Sequence, residues 1–362
     1  MEALIELLYG IPVLGLLFQL IGYLVDRLPN IAPIVLSLAA PIALGALCGI
    51  MNERSGIVNI GIEGMMLTGA FAGFLVAALV AQAVPVERDG LFGATPALVA
   101  GVLGAVAAAV LLSLLHAWLC ITIRADQIIS GTIINIAALG LTGYLNRLIL
   151  SQQPRAGAGT FGSFDPPEWL TDLPVVGWLF QMFLAQGPLA MSVLVLVIVL
   201  QVLLFRSRWG LRTRAVGEHP GAADTVGIDV IALRYRNVII GGVFAGLAGA
   251  YLTLEATSSF QNGMTNGRGF IALAAVIFGR WTPLGALGAA LLFTTFQALG
   301  TAIGIRPPAG SLGDLIVSLG IPNEFYVALP YVVTIIVLAG FVGRSVAPAA
   351  VGRPYEKESK AA

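Results

Sequence analysis

Long apolar runs recur along the chain, separated by short polar interruptions. Ten can be marked, at about 4–25, 31–50, 57–83, 97–119, 127–150, 188–205, 237–257, 268–281, 283–304 and 324–343. Several approach the roughly 20 residues that a helix needs to cross hydrocarbon. The pattern predicts an all-α, polytopic protein embedded in the lipid bilayer. The interruptions set the topology. Arg206, Arg208, Arg212, Arg214, Arg234 and Arg236 concentrate in one loop, and Arg344, Arg353, Lys357 and Lys360 mark the tail. By the positive-inside rule both are cytoplasmic. Counting crossings back from that loop puts Asn52–Ser55, Arg124–Asp126 and the amino terminus inside. It puts Glu87–Asp89 and the acidic, proline-rich connection 151–187 outside. Trp209, Tyr235 and Trp281 then fall at the inner boundary, and Trp169 and Trp178 at the outer one, as interfacial anchors.

One run breaks the length rule. A helix from Arg268 to Gly279 covers about 18 Å, short of a roughly 30 Å core. A broken crossing is expected, with non-helical backbone around Gln261–Arg268 covering the remaining depth; such backbone is tolerated only inside protein or beside water. Ten crossings split into two sets of five, which must be inverted relative to each other. The halves are about 1–150 and 188–343 of a single transmembrane domain, with the outer loop 151–187, an inner loop 206–236 and a polar tail 344–362. A short echo supports this: Ser55–Gly61 opens the third run as Arg268–Ala274 opens the eighth. Paired glycine-interrupted segments are the best sequence pointer to a substrate pathway.

Composition changes the picture by exclusion. Apolar residues make up 58% of the 362 positions and charged residues 10%, too few charges to wet a soluble surface of this size. Formal net charge is zero, so nothing suggests nucleic acid. Lysine occurs at Lys357 and Lys360 alone, in the tail, so the chain holds no Walker loop. Energy from ATP, if used, comes from a partner. His116 and His219 sit in different segments and make no metal set. Cys48 and Cys120 lie in apolar stretches and read as buried free thiols. Glu2 and Glu6 precede the first run without a basic region, so that run reads as a membrane segment and not as a cleaved signal.

Polar residues inside the runs are the candidate chemistry. Asn59-Ile60-Gly61-Ile62-Glu63-Gly64-Met65-Met66 opens the third run. A carboxylate there faces protein or water, and Asn59 and Glu63 share a face if the segment is helical. Two readings stay open: a polar patch lining a translocation path, or an interhelical hydrogen-bond cluster with Gly61 and Gly64 allowing close approach. Asn135, in Ser130-Gly131-Thr132-Ile133-Ile134-Asn135, and Gln297 carry the same ambiguity. Phe270 joins the path-lining set. Glu255, at the outer end of its run, reads as solvated. In the inner loop, Gly210–Ile228, Pro220 suits a first helical turn, Ala222, Ala223 and Val226 form a short apolar stripe, and Gly227 supplies a stop. Such a helix either docks in a groove of a cytoplasmic partner or lies at the interface among snorkelling arginines.

At these residues the chain resembles, over nearly its whole length, the permease subunits of ABC importers for ribose, branched-chain amino acids and nucleosides. In that family this loop is the coupling helix that contacts the ATPase. The pattern matches at Gly210, Arg214, Ala215, Gly217, Glu218, Pro220, Ala222, Ala223, Gly227 and Ile228, and departs at His219, where Asn is usual. The sugar-type block Gly-Gly-Ile-Asp-Leu-Ser-Val-Gly is absent. The Asn59–Met66 and Gly269–Ala274 blocks are similar to the nucleoside-type branch. The resemblance implies a bacterial inner-membrane permease that is not itself an enzyme and carries no cofactor. ATP and Mg would sit on a cytoplasmic ATPase, a second permease, identical or homologous, would complete the pore, and an extracytoplasmic binding protein would meet loops near 151–187 and 305–323. A simple sugar or branched-chain amino acid is the alternative cargo. A proton-coupled secondary transporter using Glu63 is the rival of another class, and a membrane enzyme a third, with no convergent nucleophile–base or metal set to support it.

Overall fold

A computed structural model of the chain describes residues 12–84, 91–149, 159–173, 176–305, 310–318 and 345–356, with the isolated positions 308, 320, 322 and 325. Most of the expected tenth run, the first residues of the first run, Glu87–Asp89, Arg155, Arg344, Lys357 and Lys360 lie outside the described residues. Within them the regular structure is helical: α1 (Pro12–Glu53), α2 (Ile62–Ala83), α3 (Pro96–Ala117), α4 (Gln127–Leu148), the single turn α5 (Glu168–Thr171), α6 (Gly177–Leu184), α7 (Pro188–Arg206), α8 (Arg208–Glu218), α9 (Pro220–Thr225), α10 (Val230–Tyr251), α11 (Arg268–Phe278), α12 (Pro283–Ile305) and α13 (Ser311–Ser318). Wider π turns prolong α3 over Trp118–Thr122 and α10 over Leu252–Ala256. Seven segments among the described residues are long and apolar enough to cross a membrane, and Arg268–Phe278 is a shorter apolar helix.

The expected gap between the first two runs is absent. α1 continues through Asp26 and Arg27, and the Arg27 guanidinium lies 5.6 Å from the Tyr23 ring centroid, one helical turn away. The expected start at 237 also moves. Asp229 accepts from the Ala232 N–H (2.9 Å) and caps α10 from Val230, drawing Arg234 and Arg236 into the helix. Trp281 is buried and donates to the Glu53 carboxylate, so it is no surface anchor.

Two compact units emerge. The smaller comprises 1–38, 165–185 and 291–343. Its core joins Ile31 and Leu36 of α1, Met182 of α6, and Ala298, Leu299 and Ile303 of α12. Gln19 Oε1 accepts from the Leu312 N–H (2.9 Å) at the start of α13. The larger unit comprises 39–164, 186–290 and 344–362. There α2, α3 and α10 pack through small residues, as expected where lipid gives helices no hydrophobic reason to associate. A methyl group on Gly246 would lie 2.5 Å from Val106 Cα, and one on Gly69 3.2 Å from Gly246 Cα.

Stretches assigned to one side by the arginine count gather at one end of the larger unit. Arg234 Nε donates to Ser55 O (3.0 Å), Arg124 pairs with Glu356 (2.6 Å), and the tail amides of Ala350 and Gly352 donate to Gly217 O (2.9 Å) and Gly56 O (3.2 Å). Elsewhere the outer-loop residues Phe161 and Gly162 bond Leu254 O (2.9 Å) and Phe92 O (2.8 Å). Glu255 is not solvated there. Its carboxylate accepts from the Leu189 (2.7 Å) and Ala190 (3.1 Å) N–H groups, satisfying the orphan donors that open α7. Replacing Gly246 with Val should drive a branched side chain into the α3 backbone. We expect a destabilisation of about 1–3 kcal/mol, read as a lowered thermal midpoint of the purified protein, with Gly288→Ala, where a Cβ meets nothing within 4 Å, unchanged.

Candidate functional site

Two breaks in the larger unit's helices pack against each other. The first separates α1 from α2. The helix closes with Gly56 at φ +91° while the Gly56 and Ile57 N–H groups turn back to Glu53 O and Asn52 O (both 3.0 Å). Residues 57–59 are irregular, and α2 begins after Gly61. Asn59 and Glu63 therefore do not share a helix face, because Asn59 precedes the helix. The second break runs from Thr257 to Gly267, where Gly267 takes φ +78° before α11 begins. The eleven-residue α11 is a short apolar helix where a short run was expected, and non-helical backbone precedes it over Thr257–Gly267.

Glu63 joins the two. Its Oε1 accepts from the Gly267 N–H (2.8 Å) and its Oε2 from the Gly269 N–H (2.6 Å). The opposite end of α11 is met by Arg54, whose Nε donates to Trp281 O (2.8 Å) and Nη2 to Arg280 O (3.2 Å). The short helix thus sits between a carboxylate at its N-terminus and a guanidinium at its C-terminus, both of the sign its dipole favours. The fit requires Gly269, where a Cβ would lie 2.6 Å from Glu63 Cα.

The first break is satisfied from α4. Asn135 Oδ1 accepts from the Gly64 N–H (2.7 Å), and its Nδ2 donates to Ile60 O (2.9 Å). Gly61, in the capping position, offers no side chain, because Gly131 of α4 packs directly on it. Asn135 supplies the missing cap from another helix. Gln127 Oε1 accepts from the Val58 N–H (2.7 Å), and His116 Nε2 bonds Val58 O (3.0 Å) while Nδ1 bonds Ser130 Oγ (2.9 Å). A carbonyl can only accept, so Nε2 carries a proton. Asn59 is fully buried, with Nδ2 3.5 Å from Met65 Sδ and no partner for Oδ1.

Of the expected path residues, Asn59, Glu63 and Asn135 come together, with half-exposed Phe270 on the first turn of α11 beside Gly269. Gln297 lies on α12 in the smaller unit, partly buried, its carbonyl accepting from Thr301 Oγ1 (3.0 Å). Arg54, Gln127 and His116 were not singled out by sequence. Their signal was position: each is a polar residue flanking or interrupting an apolar run.

The coupling-loop residues form α8, α9 and the turn after them. α9 closes with Gly227 at φ +83°, Gly227 N–H on Asp224 O (2.9 Å) and Ile228 N–H on Ala223 O (3.1 Å); the stop is of the glycine type expected. The stripe divides differently. Ala223 is buried with Val216, Val230 and Leu233, while Ala222 is exposed and Val226 is 76% exposed. The six-residue helix keeps one residue for its own chain and turns the others outward. Arg214 lies 5.1 Å from the Phe205 ring, which Arg54 also approaches (5.5 Å). Gly217 packs on Arg54 O, and Glu218 accepts from the Ala349 N–H (3.1 Å) of the tail. The fully buried Arg234 also donates to Arg353 O (3.2 Å), so the tail ties this loop to the first break. Cys48 and Cys120 are buried free thiols.

Residues 31–338 match the model of the permease component of branched-chain amino acid transport systems, and the chain belongs to this family. It is 41% identical to the guanosine ABC transporter permease protein NupQ of Bacillus subtilis, over 92% of this chain and 98% of that one. It is 36% identical to the nucleoside ABC transporter permease protein NupC of Lactococcus lactis, with the same coverage. Identity to a putative glucose ABC transporter permease of Haloferax volcanii is 35%, over 88% of this chain and 95% of that one. No solved structure matches.

Glu63→Gln would keep one acceptor and turn an amide N–H₂ toward a backbone N–H. Losing one charged hydrogen bond costs about 1–3 kcal/mol, so amide exchange across Gly267–Ile271 should accelerate about ten- to a hundredfold, as measured by mass spectrometry. Asn135→Leu should produce the same loosening at Ile60–Gly64 and spare α11.

Proposed function

We propose that the chain is the transmembrane permease subunit of an ATP-driven importer of nucleosides. The near-full-length similarity to two permeases named for guanosine and for nucleosides carries this reading. The crossings fall in two inverted halves, in a bacterial inner membrane, with the basic end cytoplasmic. A second permease subunit completes the pore, an extracytoplasmic binding protein delivers substrate, and ATP and Mg are held by a separate ATPase docked on the exposed face of α9.

The geometry supports a route for coupling. Motion of α9 passes to α8, whose Gly217 rests on Arg54 O. Arg54 holds the C-terminal end of α11, and Glu63 its N-terminal end. Pulling α9 therefore acts on both breaks at once. Asn59, Glu63, Asn135 and Phe270 line or shape the path at these breaks. The proton-coupled alternative fits less well. Both Glu63 oxygens are taken up by backbone N–H bonds at the start of α11.

Reconstitution with its ATPase and binding protein tests the reading. Guanosine uptake should require ATP, and concentrative uptake without ATP would refute the ABC assignment. Displacement of guanosine by leucine or glucose would refute the cargo. Val226→Asp should weaken ATPase co-purification by about tenfold or more, the effect of losing roughly 1.4 kcal/mol of contact. Arg54→Met should leave the ATPase bound while uptake falls. Uptake at the wild-type rate in Arg54→Met would break the proposed route.

A further inference from the structure

Side chains of α7 and α10, with Trp209 of α8, line a groove of about 450 Å³. Leu196, Val199, Leu200 and Leu203 form one wall, and Ile240 and Phe244 the other. Its polar end is closed by Trp209 and Arg236, the guanidinium standing 5.8 Å from the indole ring. Flanking side chains of α7, among them Val195 (61% exposed) and Ile198 (57%), face outward, so the groove opens on a lipid-facing surface.

Three features describe an occupant. From Leu196 to Leu203 the wall rises about 10 Å, within the depth of one leaflet of a roughly 30 Å hydrocarbon core. Charge is one-sided where the groove meets the interface. Arg206, Arg208, Arg212 and Arg236 are all exposed, and among the described residues none of them forms an ion pair. The Trp209 Nε1–H is buried without an acceptor, and an unmet buried donor is costly unless something supplies an oxygen. A second copy of this chain would suit poorly. Within the larger unit the carboxylates of the crossings, Glu53, Glu63 and Glu255, are already engaged by Trp281, α11 and α7.

We propose that this groove holds an anionic diacyl phospholipid of the leaflet at the basic end, one acyl chain lying between α7 and α10 and the phosphate on the exposed Arg236 guanidinium beside Trp209. Basic pockets between crossing helices are a recurrent mode of anionic-lipid recognition. None of the residues lining the site belongs to the breaks at Asn59–Glu63 and Thr257–Gly267, and it does not depend on the cargo.

The test uses the full chain in nanodiscs of phosphatidylcholine doped with phosphatidylglycerol brominated on its acyl chains, or with equally brominated phosphatidylcholine. Tryptophan fluorescence reads proximity to the bromine. Brominated phosphatidylglycerol should quench at about fivefold lower mole fraction than the zwitterionic lipid, the preference expected of one interfacial cation. That preference should vanish in Arg236→Gln, persist in Arg236→Lys, and lose its quenchable component in Trp209→Phe. Equal quenching by the two headgroups would overturn the proposal, as would a preference indifferent to Arg236→Gln. Absence of quenching at Trp209 by either lipid would show the groove covered by protein and would overturn it equally. No outcome depends on transport, so failure of the importer reading would leave this result standing.

Discussion

A backbone N–H or C=O in hydrocarbon must find a partner within the protein. The larger unit interrupts its helices twice, before α2 and before α11, and each interruption frees backbone groups from helical bonding. They are met from a distance. Asn135 and Gln127 of α4, with His116 of α3, serve the break at Val58–Gly64, and Glu63 serves the one at Gly267–Gly269. Leaving any of these groups unmet costs about 1–3 kcal/mol, a large fraction of the stability of a domain. The breaks persist because these particular side chains are present, and the partners fix where α3, α4 and α11 stand relative to α2.

Glycine makes such remote capping workable. Gly61 and Gly267 occupy capping positions with no side chain of their own to offer. In exchange, other backbones approach closely: Gly131 over Gly61, α4 over Gly64, and Glu63 over Gly269. A helix capped by its own Ser or Asp would hold its end whatever its neighbours did. A helix capped by another element holds its end only while that element stays in place. The breaks are consequently the points at which relative movement of helices changes local structure, which suits a path that must open and close.

Much of this was legible in the sequence, and the rest had a physical reason to be hidden. Apolar run lengths marked the spans and exposed the short crossing at Arg268–Phe278, because length against bilayer thickness is a local property. Gly227 announced the end of α9 for the same reason. The pairing of the Asn59–Glu63 block with Gly267–Gly269 was hinted at by the echo between them, yet the form it took was not. Periodicity suggested a shared helix face for Asn59 and Glu63, while the cap that Asn135 places on the Gly64 N–H, 71 residues away, accompanies a helix that begins only after Gly61. Ala223 was misplaced on the outward stripe because a six-residue helix is too short for periodicity to tell its two faces apart. Arg234 counted correctly as a basic residue near the inner boundary, but its burial on Ser55 O and Arg353 O reflects tertiary structure that no local pattern reports.

The route from α9 to the breaks gains force from what surrounds it. A six-residue helix on a free loop could move without consequence for the membrane-embedded part. Here the loop is tied on several sides: Gly217 O to Ala350 N, Glu218 to Ala349 N, and Arg54 O against Gly217, while Gly352 N reaches Gly56 O beside the first break. None of these contacts is strong alone. Placed in parallel, they must break together for α9 to slip relative to Gly56, so a force applied at α9 is borne by the end of α1 before any single bond yields. Because Arg54 from that same end also bonds the turn that follows α11, displacement there is felt by the short helix. In the proposed coupling, the load falls on the segment whose helix is interrupted and held by side chains of other elements.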